Sequence, residues 1–288
     1  MRIFSSGGRW QWLATLTAVA ASTLAMGAVS VAHADGLATV ESGTLTVGSD
    51  LTYPPYAYFT DKVPSGFDPD FSRLMAKYLD LQVNILDTRF ADLILGLRAN
   101  RFDIVASALY VTPERAKIIN YVPYSKTGAS FIVLKNGDVR PETPEQLCGL
   151  KVSSIKAASW IPALRAVSKD YCPTVGKGPI QVLEFPTAPE GLLALRSKGV
   201  DVMIDDAAVS HRMVSDMNDI EISSKSLLYP IVIALGVSKS QTALLEALND
   251  ALDRAKKDGT YQALLERYGL EAPTAEEIQA SLAEKPGS

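Results

Sequence analysis

The sequence predicts an α/β protein of two lobes, each a mostly parallel sheet flanked by helices, and three observations predict it. Short apolar segments alternate with amphipathic, helix-like ones along most of the chain, the pattern of β-α-β units whose strands run parallel. The alternation is interrupted twice by extended stretches suited to crossing between lobes: residues 130–134, followed by the turn-prone Lys135-Asn136-Gly137-Asp138, and residues 229–234. Beyond the second crossing, helical patterns over 241–257 and 261–268 return to the first unit, so the middle of the chain reads as an insertion into a domain made from both ends. Two crossings make a hinge, and the cleft between hinged lobes closes on a ligand.

The elements follow in order. Thr44-Leu45-Thr46-Val47 is a short buried strand, and Thr52-Tyr53-Pro54-Pro55-Tyr56 is a turn. Phe71, Leu74, Met75 and Tyr78 recur at helical spacing and predict a helix over 70–79. A strand over 82–86, a helix over 90–99 with Leu93 and Leu97 on one face, and a strand over 103–105 come next. Thr112-Pro113-Glu114 starts a helix, with Thr as N-cap and Pro at the first helical position. In the middle, 143–146 opens a short helix with a capping-box pattern, 151–154 is a strand, 159–167 a helix and 181–185 a strand. Thr187-Ala188-Pro189-Glu190 is a further capping box, opening a helix to 198; 202–204 is a strand ending in Asp205 and Asp206, and a helix begins near Ala207. The tail 273–288 adds one helix or frays.

Composition narrows the function. Apolar residues at 47% and charged residues at 21% over 288 residues exclude a disordered chain and a multi-span membrane protein. With 28 basic and 32 acidic residues, net −4 and no basic stripe, nucleic acid is excluded as a partner. Residues 1–34 read as a secretory signal: Arg2 and Arg9 make a basic start, 12–29 carry no charge, and Ala32-His33-Ala34 supplies a small-x-small cleavage site after Ala34. The alternative is a retained anchor. In an oxidising compartment the two cysteines, Cys148 and Cys172, predict one structural disulfide. With only His211 left after processing there is no zinc spacing, and His211 is expected on a helix surface. No phosphate loop, nucleophile elbow or metal cluster is present in the sequence, so no cofactor, metal or catalytic residue is expected.

Three blocks, Gly48-Ser49-Asp50-Leu51-Thr52-Tyr53-Pro54-Pro55-Tyr56, Gly66-Phe67-Asp68-Pro69-Asp70, and the run from Asp103 through Ser107-Ala108-Leu109-Tyr110-Val111-Thr112-Pro113-Glu114 to Arg115, resemble the signatures of the polar-amino-acid solute-binding proteins, family 3. These are the periplasmic receptors of ABC importers. The similarity runs from 44 to about 270 and takes in Cys148-Gly149 and Asp201-Val202-Met203-Ile204-Asp205-Asp206. It implies a type II periplasmic-binding-protein fold, with lobe 1 formed by 35–133 and 231–288 and lobe 2 by 134–230. It also implies a monomer that captures an amino acid or related zwitterion and hands it to a membrane permease. The alternative is an enzyme: cyclohexadienyl dehydratases resemble these receptors and would need a cleft acid of raised pKa, for which Asp50 or Asp205 would serve. A detached sensor domain is a weaker third reading.

The resemblance also assigns roles. Arg115 grips the ligand α-carboxylate, as a guanidinium can do with two parallel donors, and it stands in the first turn of its helix beside free N–H groups. Asp206 takes the α-ammonium, although one of the adjacent acids Asp205 and Asp206 could instead cap the following helix. Tyr53 and Phe90 sandwich the ligand side chain, Asp50 holds the far end of a basic one, and Ser107 hydrogen-bonds the ligand. The chain departs from the pattern where Ala108 replaces a serine and Tyr110 follows Leu109, and where the usual Gly-Thr-Thr turn reads Ala157-Ala158-Ser159, leaving the Ser159 hydroxyl. With Tyr53, Tyr56, Tyr110 and Trp160 facing the cleft, a methylated or bulky cationic ligand would also be accommodated.

Overall fold

β1 (Thr44–Ser49), buried in all but its first residue, begins the alternation in a computed structural model that describes residues 37–283. The expected signal peptide, 1–34 with cleavage after Ala34, lies outside the described residues. The segment read as a turn folds into a small antiparallel sheet of β2 (Thr52–Tyr53), β3 (Ala57–Thr60) and β4 (Val63–Ser65), strands too short for periodicity to reveal. Gly66 then turns the chain at φ 110, with the Tyr56 carbonyl oxygen 2.4 Å from where a Cβ would stand, so no side chain fits. The next helix, α1 (Phe67–Tyr78), therefore starts earlier than the apolar spacing alone indicates.

β5 (Gln82–Asp87) follows. The helix expected over 90–99 opens as a 3-10 turn, Phe90–Asp92, before α2 (Leu93–Arg98), which buries Leu93 and Leu97 as expected. After β6 (Ile104–Val105), α3 (Pro113–Ala116) is a single turn, capped by the Thr112 hydroxyl accepting from the Arg115 amide. β7 (Ile119–Leu134) is far longer than the extended piece read over 130–134. Its polar residues hide it locally; pairing on both edges makes it a strand.

The middle of the chain carries β8 (Lys151–Ile155), α4 (Ile161–Asp170), β9 (Gln181–Phe185), α5 (Ala188–Arg196), β10 (Val202–Asp206), α6 (Ala207–Asp216) and β11 (Ile220–Ile222). The capping box of Thr187 and Glu190 is formed, whereas Thr143 caps nothing and its segment is a 3-10 turn, Pro144–Leu147. A disulfide joins Cys148 to Cys172 and fastens that turn to the end of α4, both sulfurs buried. β12 (Leu228–Ser238), α7 (Thr242–Lys257), α8 (Thr260–Tyr268) and α9 (Ala275–Leu282) complete the fold. Among the described residues no helix is long and apolar enough to cross a membrane.

The main sheet runs β5-β1-β6-β12-β7-β10-β8-β9, with β11 on β7. At one end β1 pairs in parallel with β5 and β6; at the other β8 pairs in parallel with β9 and β10; β7 and β12 join the two parallel sets by antiparallel pairing. The pairing of β7 with β12 runs from Ile119 to Thr127 and recurs at Ala129 with Leu228, while β10 takes the other edge from Ala129 to Ile132. Gly128 stands between, where a Cβ would meet the Leu228 carbonyl oxygen at 2.8 Å. The β12 register shifts opposite it, around Tyr229 and Pro230.

α7 packs on α1 and β7, and α8 on α1 and α7. Phe67, Phe71 and Tyr124 stack at centroid separations of 4.9–5.6 Å, and the Tyr261 hydroxyl donates to the Tyr124 carbonyl at 2.6 Å. Each such fully buried ring contributes roughly 1.5–3 kcal/mol. The tail docks: α9 has its own capping box, its Ser281 hydroxyl accepts from the Val232 amide at 3.2 Å, and Lys126 reaches Glu271 and Glu277, each at 3.2 Å.

Candidate functional site

Parallel strands present their carboxyl ends, and the helix N-termini that follow, to the same side of a sheet. Here β2, the 3-10 turn at Phe90, the segment that follows β6 and the end of β8 with the turn after it meet around a small cavity of ≈ 20 Å³. Five expected residues wall it, Tyr53, Phe90, Tyr110, Arg115 and Ser159, together with Ile155, Ala158 and Trp160. A groove of ≈ 840 Å³ shares Tyr110, Arg115, Ser159 and Trp160 with it and extends past the Arg165–Glu184 ion pair to Tyr229 and Ser281.

Arg115 occupies the first turn of α3. Its Nη1 donates to the Tyr110 carbonyl at 3.1 Å and its Nη2 to the Ala157 carbonyl at 3.0 Å, and the guanidinium carbon lies 5.5 Å from the centre of the Phe90 ring. Burial lowers its pKa. Among the described residues its N–H groups meet carbonyls, not a carboxylate, which leaves its charge available. Trp160 is held by a 2.8 Å bond from its indole nitrogen to Ser154 and meets the Tyr110 ring edge-on at 5.6 Å.

The two acids at the end of β10 are fully buried and differently used. Asp206 is the N-cap of α6: its Oδ1 accepts from the Ala208 and Val209 amides at 2.8 and 3.5 Å. Its Oδ2 accepts from the Tyr110 hydroxyl at 2.7 Å and the Thr127 hydroxyl at 2.9 Å. Burial pushes its pKa up, against the pull of those bonds. The capping role left open between the neighbours thus falls to Asp206. Asp205 accepts from the Asp206 amide at 2.8 Å and from the Tyr53 hydroxyl, both on Oδ1; burial pushes its pKa up to about 7, with the Tyr53 bond opposing.

Four expected residues are not among the cavity walls: Asp206, held as described, and Asp50, Ser107 and Ala108. Asp50 is 1% exposed and occupied: Oδ1 takes the Thr52 amide and hydroxyl and the Arg89 guanidinium at 2.9 Å, and Oδ2 takes the Phe90 amide at 2.9 Å. Where the resemblance places a basic ligand tip, Arg89 reaches Asp50 from within the chain. The Ser107 hydroxyl accepts from the Asp50 amide at 3.0 Å, so it braces the loop. Ala108, at φ 44, donates its amide to Asp68 at 2.8 Å. Asp68, which also accepts from the Tyr124 hydroxyl at 2.5 Å, is given no role by the sequence, nor are Arg89, Thr127 and Ile155; its place in the block 66–70 is the one signal that marks Asp68. Burial pushes the Asp68 pKa up to about 7. His211 is exposed on α6, and among the described residues no group of side chains could hold a metal.

The sequence profile of the bacterial extracellular solute-binding proteins, family 3, matches residues 45–271. The L-cystine-binding protein TcyJ of Escherichia coli is 27% identical over 230 residues, 79% of this chain and 83% of that protein. An ancestral arginine-binding protein solved with arginine superposes at TM-score 0.72 with 29% identity, covering 78% of this chain and 98% of that one. An ancestral amino acid-binding protein described as a precursor of cyclohexadienyl dehydratase superposes at TM-score 0.69 with 26% identity, over 78% and 95% of the two chains.

Proposed function

Because the chain belongs to the bacterial extracellular solute-binding proteins, family 3, with the fold of the type II periplasmic binding proteins, we propose that it is the ligand-capturing component of an ABC importer, taking an amino acid or related zwitterion. In this reading the chain is exported by residues 1–34, cut after Ala34, acts as a periplasmic monomer and delivers its ligand to a membrane permease. Its lobes are 35–133 with 231–288, and 134–230. The start of the β10 pairing after Gly128 and the shift at Tyr229 and Pro230 support two crossings through β7 and β12. The relatives named above, for cystine and arginine, support an amino-acid ligand.

One observation carries the reading: Tyr53, Phe90, Tyr110, Arg115 and Ser159, chosen from separate stretches of sequence, line one cavity at the start of α3. Arg115 there offers a bidentate fork to a carboxylate, with the helix N-terminus adding to the field. Tyr53 and Phe90 wall the side-chain space, and Asp205 and Asp206 supply negative charge across the cleft. Asp50, Ser107 and Ala108 contribute by holding the loops that carry these walls.

The test is titration calorimetry of the mature chain against the natural amino acids, L-cystine and prephenate. Binding without turnover is expected, and Arg115→Ala is expected to weaken it on the order of a hundredfold. Release of a dehydrated product from prephenate would replace the receptor by an enzyme.

A further inference from the structure

Ala157 lies between β8 and α4 at φ 64, in the left-handed region where an L side chain crowds the following carbonyl and glycine does not. The resembled pattern has a glycine at this place, and here the chain has a Cβ. The conformation matters because it decides where the Ala157 carbonyl points. That carbonyl accepts from Arg115 Nη2 at 3.0 Å. α4 brings no side-chain cap of its own to fix the turn. A residue held in a costly backbone region stays there only when its neighbours impose it.

The neighbour that imposes it is β9. Its pairing with β8 sets Ser154 opposite Glu184 and Ile155 opposite Phe185, so the end of β9 arrives beside the turn once the sheet forms. The Phe185 carbonyl accepts from the Lys156 amide at 2.8 Å, and Glu184 Oε2 accepts from the Ala157 amide at 3.4 Å. Glu184 Oε1 is meanwhile fixed by Arg165 Nη2 at 2.7 Å, which orients the carboxylate and offsets its charge. Arg115, Ala157, Arg165 and Glu184 all line the larger groove. Both ends of the Ala157 residue are thus engaged, its amide by Glu184 and its carbonyl by Arg115.

We propose, as a deepening of the receptor reading and resting on it, that Glu184 is a positioning residue for carboxylate capture: it keeps Ala157 left-handed, so that the Ala157 carbonyl fixes one arm of Arg115. Without that carboxylate Ala157 relaxes to a negative φ and its carbonyl turns away. The guanidinium then keeps only the Tyr110 carbonyl of its two main-chain partners. An arginine that must be reordered on binding takes a carboxylate less tightly. Glycine at 157 would adopt the left-handed conformation unaided. The need for Glu184 therefore disappears with the Cβ of Ala157.

The experiment is titration calorimetry of the mature chain and three variants, Glu184→Ala, Ala157→Gly and the two combined. The natural amino acids and L-cystine are screened on the parent, and the tightest binder among them is the probe for the variants. Glu184→Ala should weaken its binding on the order of fivefold to tenfold. Ala157→Gly alone should match the parent, and the double variant should return to within about twofold of it. Should Glu184→Ala fail to fold, Glu184→Leu keeps the bulk without the acceptor and gives the same readings. Unchanged affinity on loss of the Glu184 carboxylate, or a loss that Ala157→Gly does not recover, overturns the inference and leaves the receptor reading standing. A parent chain that binds none of the probes overturns the receptor reading, and this inference with it.

Discussion

Tyr110 ties the site together at the residue scale. Its carbonyl accepts from Arg115 and its phenol donates to Asp206, so two charged residues distant in sequence are held by one tyrosine. The gained phenol thus replaces a small hydroxyl by a brace. Asp68 makes the companion prediction. Burial outweighs its bonds to Tyr124 and Ala108 and holds its pKa at about 7, above the ordinary carboxylate value of 3.8. A raised folded-state pKa means the fold keeps the proton the unfolded chain has lost, so the contribution is full below about pH 4 and declines as pH rises through 7. Asp68→Asn cannot titrate there. The melting-temperature gap between parent and Asp68→Asn should therefore be widest near pH 4 and narrow towards pH 8; a gap that widens with pH would falsify the assignment.

At the element scale, stability and binding separate. Cys148 and Cys172 lie 24 positions apart and away from the cavity walls. Closing a loop of that length stabilises the fold by about 3.5 kcal/mol in the chain-entropy account. Reduction should lower the melting temperature by several degrees and leave ligand affinity unchanged; loss of affinity on reduction would place the bridge in the site's support. α3 shows the opposite case, a helix of one turn whose start matters more than its length, because the Thr112 hydroxyl accepts from the amide of Arg115 and fixes where that residue stands.

At the scale of the molecule, two parallel sets of strands meet through an antiparallel pair, β7 and β12, and α9 lies against that pair, beyond the residues matched by the family. Its Ile278 packs on Val111, Val232 and Ala234, its Ser281 satisfies the Val232 amide, and its Glu277 takes Lys126 of β7. Truncation after Pro273 bares that apolar cluster and one buried amide. It should destabilise the chain by roughly 2 kcal/mol, read as a lower midpoint in urea, while Arg115 and the cavity walls on β8 and the turn after it remain. An unchanged midpoint would show the docking to be idle.

The sequence by itself determined the alternation, the capped helix starts at Thr112 and Thr187, the disulfide and five of the cavity walls, because periodicity, caps and ordered motif blocks are local signals. The pairing of β7 on both edges, its length, the docking of α9 and the partners of the acids were decided only in three dimensions. The Arg89 guanidinium on Asp50 and the two donors that fall on one oxygen of Asp205 are contacts that no local pattern announces. Which buried polar atom is left without a partner depends on neighbours distant in sequence, and those neighbours exist only once the sheet has formed.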